Sequence, residues 1–373
     1  MKVVVVGAGY AGTIAANRLA KKVKDAEITV VNPRPTFVER VRLHEQISGT
    51  GEAATPLASM LAKGITVRVG DVEKIVDGNV TLAGGGGLDY DYLFLAVGST
   101  GTPIDGSIAV GTWEGATQSR AALDALPAGS TVTVIGGGLT GIETASEIAE
   151  SHPDLCVRLV AETVGASLSA GAQKRVHAAL DRMNVEITRD SVRAVDAGPN
   201  GAVHFRSGAA LDSDLTLWAV VDSVPDLAAR SGLQVDPQGR AVVDEFLRSV
   251  SDLRIFVVGD CAAVPGARLG CATASPQGAH AADTLARMIK GCKPKPYSMG
   301  YVGQVLSLGR KNAVVQASRR DDRVRRLYVT GRLAAITKEL VCRYAKYGPR
   351  TAIYVWLPGE RNPSSAVESH TSV

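Results

Sequence analysis

Two short glycine-rich turns constrain this chain more than any other feature in it. They are Gly7-Ala8-Gly9-Tyr10-Ala11-Gly12 and Gly136-Gly137-Gly138-Leu139-Thr140-Gly141. Each has the spacing G-x-G-x-x-G. Each follows an apolar, β-branched run (KVVVV at 2–6, TVTVI at 131–135) and opens a segment of helical character. In such a strand–turn–helix unit the first glycine permits the tight turn. The second lets backbone approach a pyrophosphate, and the third lets helix and strand pack closely. The N–H groups at the helix start then face the phosphates. One such turn is weak evidence. Two complete ones predict two dinucleotide sites, one for a flavin dinucleotide and one for a nicotinamide dinucleotide.

The remaining pattern fits a duplicated unit. Strands are predicted at 27–31, 65–69, 92–97, 156–160, 203–205, 215–220 and 254–258. Helices are predicted at 11–23, 141–150, 172–183 and 276–290, with a hairpin turn at 83–87 (AGGGG). Residues 103–127 read as an irregular crossing and 290–296 as a linker, followed by strands at 302–306 and 313–316 and a helix at 333–346. The chain is therefore expected to be α/β, with two Rossmann-like domains, the second inserted in the first, and a small α+β C-terminal domain. The flavin domain is placed at 1–104 with 235–290, the nicotinamide domain at 105–234, and the C-terminal domain at 297–357. The polar residues 358–373 are expected to be an unstructured tail.

Composition narrows the function classes. A chain of 373 residues with 45% apolar and 21% charged residues is an ordinary globular protein of two or three domains. A net charge of +4 gives no reason to expect nucleic acid. The cysteines at 156, 261, 271, 292 and 342 have no paired spacing, which suggests reduced thiols and a cytoplasmic protein. No leader or spanning segment is expected, and Lys2 in place of glycine argues against N-myristoylation. No metal is expected.

The acid that bonds a ribose in such units falls about 20 residues after the last glycine. The count from Gly12 reaches Asn32, whose amide can bond a hydroxyl. The count from Gly141 reaches Ala161, with Glu162 next. A carboxylate at Glu162 favours NADH over NADPH, and no arginine follows this strand at once to grip a 2′-phosphate.

Further motifs resemble those of the two-dinucleotide-binding-domain flavoproteins. They are Asp91-Tyr92-Leu93-Phe94-Leu95-Ala96-Val97-Gly98-Ser99, Gly70-Asp71-Val72, and Ile255-Phe256-Val257-Val258-Gly259-Asp260-Cys261-Ala262. The resemblance covers about 1–290. It implies FAD contacts from Gly98 and Ser99, from the backbone at Val72, from Gly259, and from Asp260 on the ribityl chain. Arg42 stands where such proteins place a basic residue near FAD, and a plain surface arginine explains it equally well. The stretches 135–147 (IGGGLTGIETASE) and 306–312 (LSLGRKN), followed by 330–333 (TGRL) and Thr337-Lys338, are similar to type II NADH dehydrogenases and ferroptosis-suppressor-type quinone reductases. That similarity implies a catalytic Glu143 near nicotinamide and flavin, and a catalytic Lys338 near the flavin. No cysteine precedes Cys156, against the disulfide-reducing branch. Trp218-Ala219-Val220-Val221 departs from the family's Trp-Ala-x-Gly, with Val221 where a glycine meets the cofactor.

Taken by their chemistry alone, these residues keep other readings. Glu143 in a first helical turn equally suits a partner for the helix dipole. Gln277 can bond reduced flavin or simply pack, Cys261 suits a small buried residue, and His280 suits packing more than proton shuttling. Between 319 and 350 there are ten Lys or Arg against three acids, with tyrosines interleaved. That local excess surpasses the charge of the whole chain. Such a surface suits the inner face of an anionic membrane, or a solvated basic face. The expected activity is NAD(P)H-dependent reduction of a quinone through FAD. A soluble flavin reductase for a protein or biosynthetic substrate and a low-turnover redox sensor are the alternatives. The expected partners are a quinone or other small-molecule acceptor, a membrane face and a second copy of the chain.

Overall fold

The computed structural model describes residues 1–198 and 200–359. The tail expected at 358–373 therefore lies, from residue 360 onward, outside the described residues. The first segment runs β1 (Lys2–Val6), α1 (Tyr10–Lys22), β2 (Glu27–Asn32), α2 (Leu43–Ser48), β3 (Thr66–Val69) and β4 (Tyr92–Leu95). Next come β5 (Ile108–Ala109), α3 (Trp113–Asp124), β6 (Thr131–Ile135), α4 (Leu139–Ser151), β7 (Cys156–Val160), α5 (Ala170–Arg182), β8 (Glu186–Thr188) and β9 (Leu215–Trp218). The chain then forms β10 (Ile255–Val257), α6 (Cys271–Ile289), β11 (Gly303–Ser307), β12 (Ala313–Ser318), β13 (Val324–Thr330) and α7 (Arg332–Thr351). Short three-stranded antiparallel sheets occupy 72–89 and 192–213.

Two five-stranded parallel sheets carry the architecture, in the orders β10-β4-β1-β2-β3 and β5-β9-β6-β7-β8. They repeat one plan. The strand before each glycine turn is central, with the following strand on one side and a returning strand on the other. Val5 pairs with Val30 and Phe94 in the first sheet, as Val134 pairs with Leu159 and Leu217 in the second. Val3 to Val6 are all buried, as a parallel sheet covered on both faces requires. The second sheet is formed wholly by chain that lies between β4 and β10 of the first. The protein is thus a mixed α/β fold with two parallel Rossmann-like cores.

The last segment is an antiparallel sheet, β11-β12-β13, with α7 packed on it and on α1. On α7 the residues Ala334, Lys338, Cys342 and Ala345 are buried, one face at helical spacing.

Three expectations need correction. Residues 103–127 are not irregular throughout, because they contain α3, capped by the Thr112 hydroxyl, which accepts from the Gly115 N–H at 3.1 Å. Its mixed Trp, Gly and Thr residues give a weak apolar period. The helix expected to start at Pro276 starts at Cys271, so the proline lies inside α6. Proline favours a first turn, yet here five helical residues precede it. The C-terminal sheet has a third strand, β13, whose arginine-rich, mostly exposed residues lack an apolar alternation.

Candidate active site

The two glycine turns show the same division of labour. Gly7 and Gly136 have φ of +99° and +127°, a region that side chains avoid. A Cβ on Gly12 would lie 1.9 Å from the Gly7 carbonyl oxygen, and one on Gly141 would lie 1.8 Å from that of Gly136. Helix and strand therefore touch at these two positions. At Gly9 and Gly138, by contrast, a Cβ would meet nothing within 4 Å. Open space at the second glycine, beside a helix N-terminus, is where a pyrophosphate fits. The residues present suit a dinucleotide at both turns.

Around the first turn the expected residues converge, though some are already occupied. Ser99 Oγ donates to Asp260 Oδ2 at 2.6 Å, and the Gly270 N–H, at the α6 start, donates to Asp260 Oδ1 at 2.8 Å. Gly98 and Gly259 turn the two strand ends with φ of +74° and +82°. Gln277 Oε1 accepts from the Gly259 N–H at 2.7 Å, which fastens that turn. Asn32 Oδ1 accepts from the Ala8 N–H at 2.9 Å, and its Nδ2 donates to the Arg34 carbonyl at 2.7 Å. Asn32 thus ties the glycine turn to the segment that follows β2. Tyr10 packs edge-on against Phe37, and burial pushes its phenol well above the usual range. Ala11 lies against α6, where a Cβ on Gly278 would come 2.2 Å from the Ala11 carbonyl oxygen. Val72 is in the core, and its carbonyl accepts from Arg230 at 2.9 Å.

The arginine that reaches this cluster is Arg40. Its Nη1 donates to Ser99 O and Ser99 Oγ at 3.0 Å each and lies 3.9 Å from Asp260 Oδ2. Arg42 instead joins Glu39, Glu45 and Glu339. No motif in the sequence marks Arg40.

At the second turn Thr140 is exposed beside the open Gly138. Glu162 is exposed just past β7, where its carboxylate accepts from Ser191 Oγ. Val221, in the place of a glycine, needs no left-handed backbone. Its side chain lies toward Gly111, 3.5 Å from where a Cβ there would be.

Glu143 and Lys338, far apart in sequence, form a buried ion pair. Lys338 Nζ stands 2.7 Å from Glu143 Oε1, and both residues are under a tenth exposed. Glu143 Oε1 also accepts from the Ser307 N–H at 2.9 Å and Ser307 Oγ at 3.1 Å. Burial alone would push the Glu143 carboxyl up, but the Lys338 ammonium, with His44 and Ser307, outweighs it and holds it below the ordinary value. Burial pulls Lys338 down, and Glu143 reverses this, so the ammonium is held above its ordinary value. Beside the pair is a pocket of about 680 Å³ whose lining includes Lys338, Ile336, Leu340, Cys342, Arg310 and Arg332.

The other candidates stay apart from this pair. His280 packs edge-on against Tyr297, and its charged neighbours are Asp283 and Arg18. The Cys261 thiol is pushed up to about 11, mainly by burial, which makes it an inert core group. Among the described residues no cluster could hold a metal ion, and no helix is long and apolar enough to cross a membrane.

Comparison with known proteins identifies the family and the fold. The family model described as pyridine nucleotide-disulphide oxidoreductase matches residues 1–284. The chain belongs to that family. An NADH dehydrogenase-like protein of Mycobacterium tuberculosis is 30% identical over 295 residues, covering 70% of this chain and 73% of its own. A type II NADH:quinone oxidoreductase of the same organism is 26% identical, covering 85% and 79%. The sulfide:quinone oxidoreductase of Aquifex aeolicus superposes with a TM-score of 0.78 at 18% identity, over 99% of this chain and 94% of that one, which shows the shared fold. The family is one of NAD(P)H-dependent flavin oxidoreductases that bind FAD and pyridine nucleotides. This chain is an enzyme of that class.

Proposed function

We propose that the protein is an FAD-dependent NADH:quinone oxidoreductase. The observation that carries this reading is the buried Glu143–Lys338 pair beside a pocket with both apolar and cationic walls. In this reading residues 1–104 and 235–290 hold the flavin and 105–234 the nicotinamide. A bound flavin would supply two-electron transfer between the reduced nicotinamide and the acceptor. Asp260 and Ser99, braced by Arg40, hold the ribityl side, and Gly9 and Gly138 leave room for the pyrophosphates. Glu162 past β7 supports NADH over NADPH. Lys338, with one N–H on Glu143, has two more to bond an acceptor oxygen and can donate its proton there. Glu143 keeps that amine charged and fixes its direction.

An exposed apolar helix face beside arginines supports the quinone reading. Leu333, Ile336, Leu340 and Tyr347 are exposed at helical spacing along α7. Arg319, Arg320, Arg325 and Arg326 stand on the neighbouring hairpin. An apolar helix face beside arginines suits anionic lipid, and a second copy of the chain is the competing occupant.

One experiment tests the reading. The FAD-loaded protein is mixed with NADH or NADPH and flavin bleaching is followed. Reoxidation is then followed with a menaquinone analogue in neutral or anionic vesicles. The expected result is faster bleaching by NADH and faster reoxidation in anionic vesicles. Reoxidation by a ferredoxin but by no quinone refutes the proposal in favour of a protein acceptor. Failure to bleach with either nucleotide leaves a sensor.

A further inference from the structure

His44 is a buried histidine to which the reading above gives no task. It sits on α2, between the Glu143–Lys338 pair and the partly exposed Arg310. Its Nδ1 is 3.8 Å from Glu143 Oε2 and its Nε2 is 3.9 Å from Glu45 Oε1. Ser307 Oγ lies 3.3 Å from Nε2 and 3.1 Å from Glu143 Oε1, so its one proton can serve either acceptor. Glu45 Oε1 in turn meets Arg310 Nη1 at 2.9 Å, and Arg310 lines the pocket. Titratable and cationic groups therefore follow one another within 4 Å from Lys338 through Glu143, His44 and Glu45 to Arg310. The charged groups that face His44 are Glu143 from α4, Lys338 from α7, Arg310 from the turn after β11, and Glu45 from its own helix.

We propose that His44 is a proton-relay residue, acting through Glu143 to return to Lys338 the proton that each reduced acceptor removes. This deepens the quinone reading and rests on it. The exchange is NADH + quinone + H⁺ → NAD⁺ + hydroquinone, so one solvent proton must enter per turnover. Lys338 Nζ gives its proton to the acceptor oxygen and becomes a neutral amine. His44 Nε2 takes a proton from the Glu45 side, supplied by water at Arg310, the Nδ1 proton passes to Glu143 Oε2, and a flip of the imidazole ring restores the starting tautomer for the next turnover. Rotation of the Glu143 carboxyl hands it to Nζ. The gaps near 3.8 and 3.9 Å close by a small approach or one bridging water. Burial, opposed by Glu143, pulls His44 below its ordinary value, so the imidazolium is short-lived, as a relay needs.

The test uses full-length, FAD-loaded wild-type protein and His44→Gln. A soluble naphthoquinone, which needs a proton, is compared with ferricyanide, which takes electrons alone. The naphthoquinone-to-ferricyanide rate ratio should fall about tenfold or more in His44→Gln. Added imidazole should restore it, and rebuilding the fold alone cannot do that. An unchanged ratio, or a fall that imidazole leaves in place, overturns the relay. Should His44→Gln fail to hold FAD, the wild-type protein decides. A solvent deuterium effect with naphthoquinone and none with ferricyanide supports the relay, and equal effects overturn it. Wild-type turnover with ferricyanide but with no quinone defeats the quinone reading itself, and the relay with it.

Discussion

Replacing Glu143 by Gln leaves the buried Lys338 ammonium without its carboxylate. The pair is 2.7 Å apart and each member is under a tenth exposed, so little solvent is available to compensate. Breaking a buried ion pair from one side costs about 3–5 kcal/mol. Glu143→Gln and Lys338→Met should each approach that loss in urea unfolding of the FAD-loaded protein at neutral pH. The double variant leaves no uncompensated charge. It should be more stable than the sum of the single losses predicts, by about 2 kcal/mol or more. Single losses that add to within about 0.5 kcal/mol would show that the two groups do not interact, and the argument for a shared site would fall.

The pH dependence of this coupling follows from the two shifts. Glu143 is held below its ordinary value, so its contribution is complete above about pH 4.3 and is lost as pH falls through the lowered folded value. Lys338 is held above its ordinary value, so its contribution is complete below about pH 10.4 and is lost only as pH rises through the raised one. The coupling should be flat across the neutral range. A coupling that titrates near neutrality contradicts the assignment of both charges.

Two further perturbations separate binding from folding and charge from shape. Gly9→Ala should fold normally and lose FAD on gel filtration. Gly12→Ala, whose Cβ would lie 1.9 Å from a carbonyl oxygen, should lose about 1–3 kcal/mol of stability; equal behaviour of the two would contradict the division of the turn. Glu147 is buried, one of its carboxylate oxygens has no hydrogen-bond partner among the described residues, and burial raises it to about 6 from 4.5. A carboxyl raised on folding destabilises once it ionises, so Glu147→Gln should gain up to about 2 kcal/mol at pH 8. That gain should vanish as pH falls through this window, and urea midpoints at several pH values check it.

What was legible in the sequence was local. A G-x-G-x-x-G turn is dictated by contacts within a few residues and their returning strand, so Gly7, Gly12, Gly136 and Gly141 carry their geometry wherever the rest of the chain goes. Asn32 was legible as a position but not as a role. The count of residues puts it at the end of β2, yet only the folded turn shows its amide bracing Ala8. Glu143 and Lys338 came from family likeness, since a glutamate in a first helical turn and a lysine on an amphipathic helix are ordinary residues. His44 left no mark at all. Its neighbours come from α4, α7 and the turn after β11, and no spacing within α2 encodes them.

The exchange of Arg42 for Arg40 shows why such a miss is physical. Both arginines lie in one 3₁₀ turn, Arg40–Arg42. At about three residues per turn, positions two apart point roughly 120° from one another, so the two guanidinium groups must serve different surroundings. One faces Ser99 and Asp260 and the other faces Glu39, Glu45 and Glu339. Which faces which depends on where β4 and α7 pass, and neither is close in sequence. The carboxylates settle the matter. Three acids, two of them buried beside Arg42, need a cation to cover them, whereas Asp260 already has Ser99 and the α6 N-terminus. Arg42 is therefore committed to holding the C-terminal helix against the first domain through Glu339. The guanidinium with part of its surface exposed, at the mouth of the first glycine site, is that of Arg40.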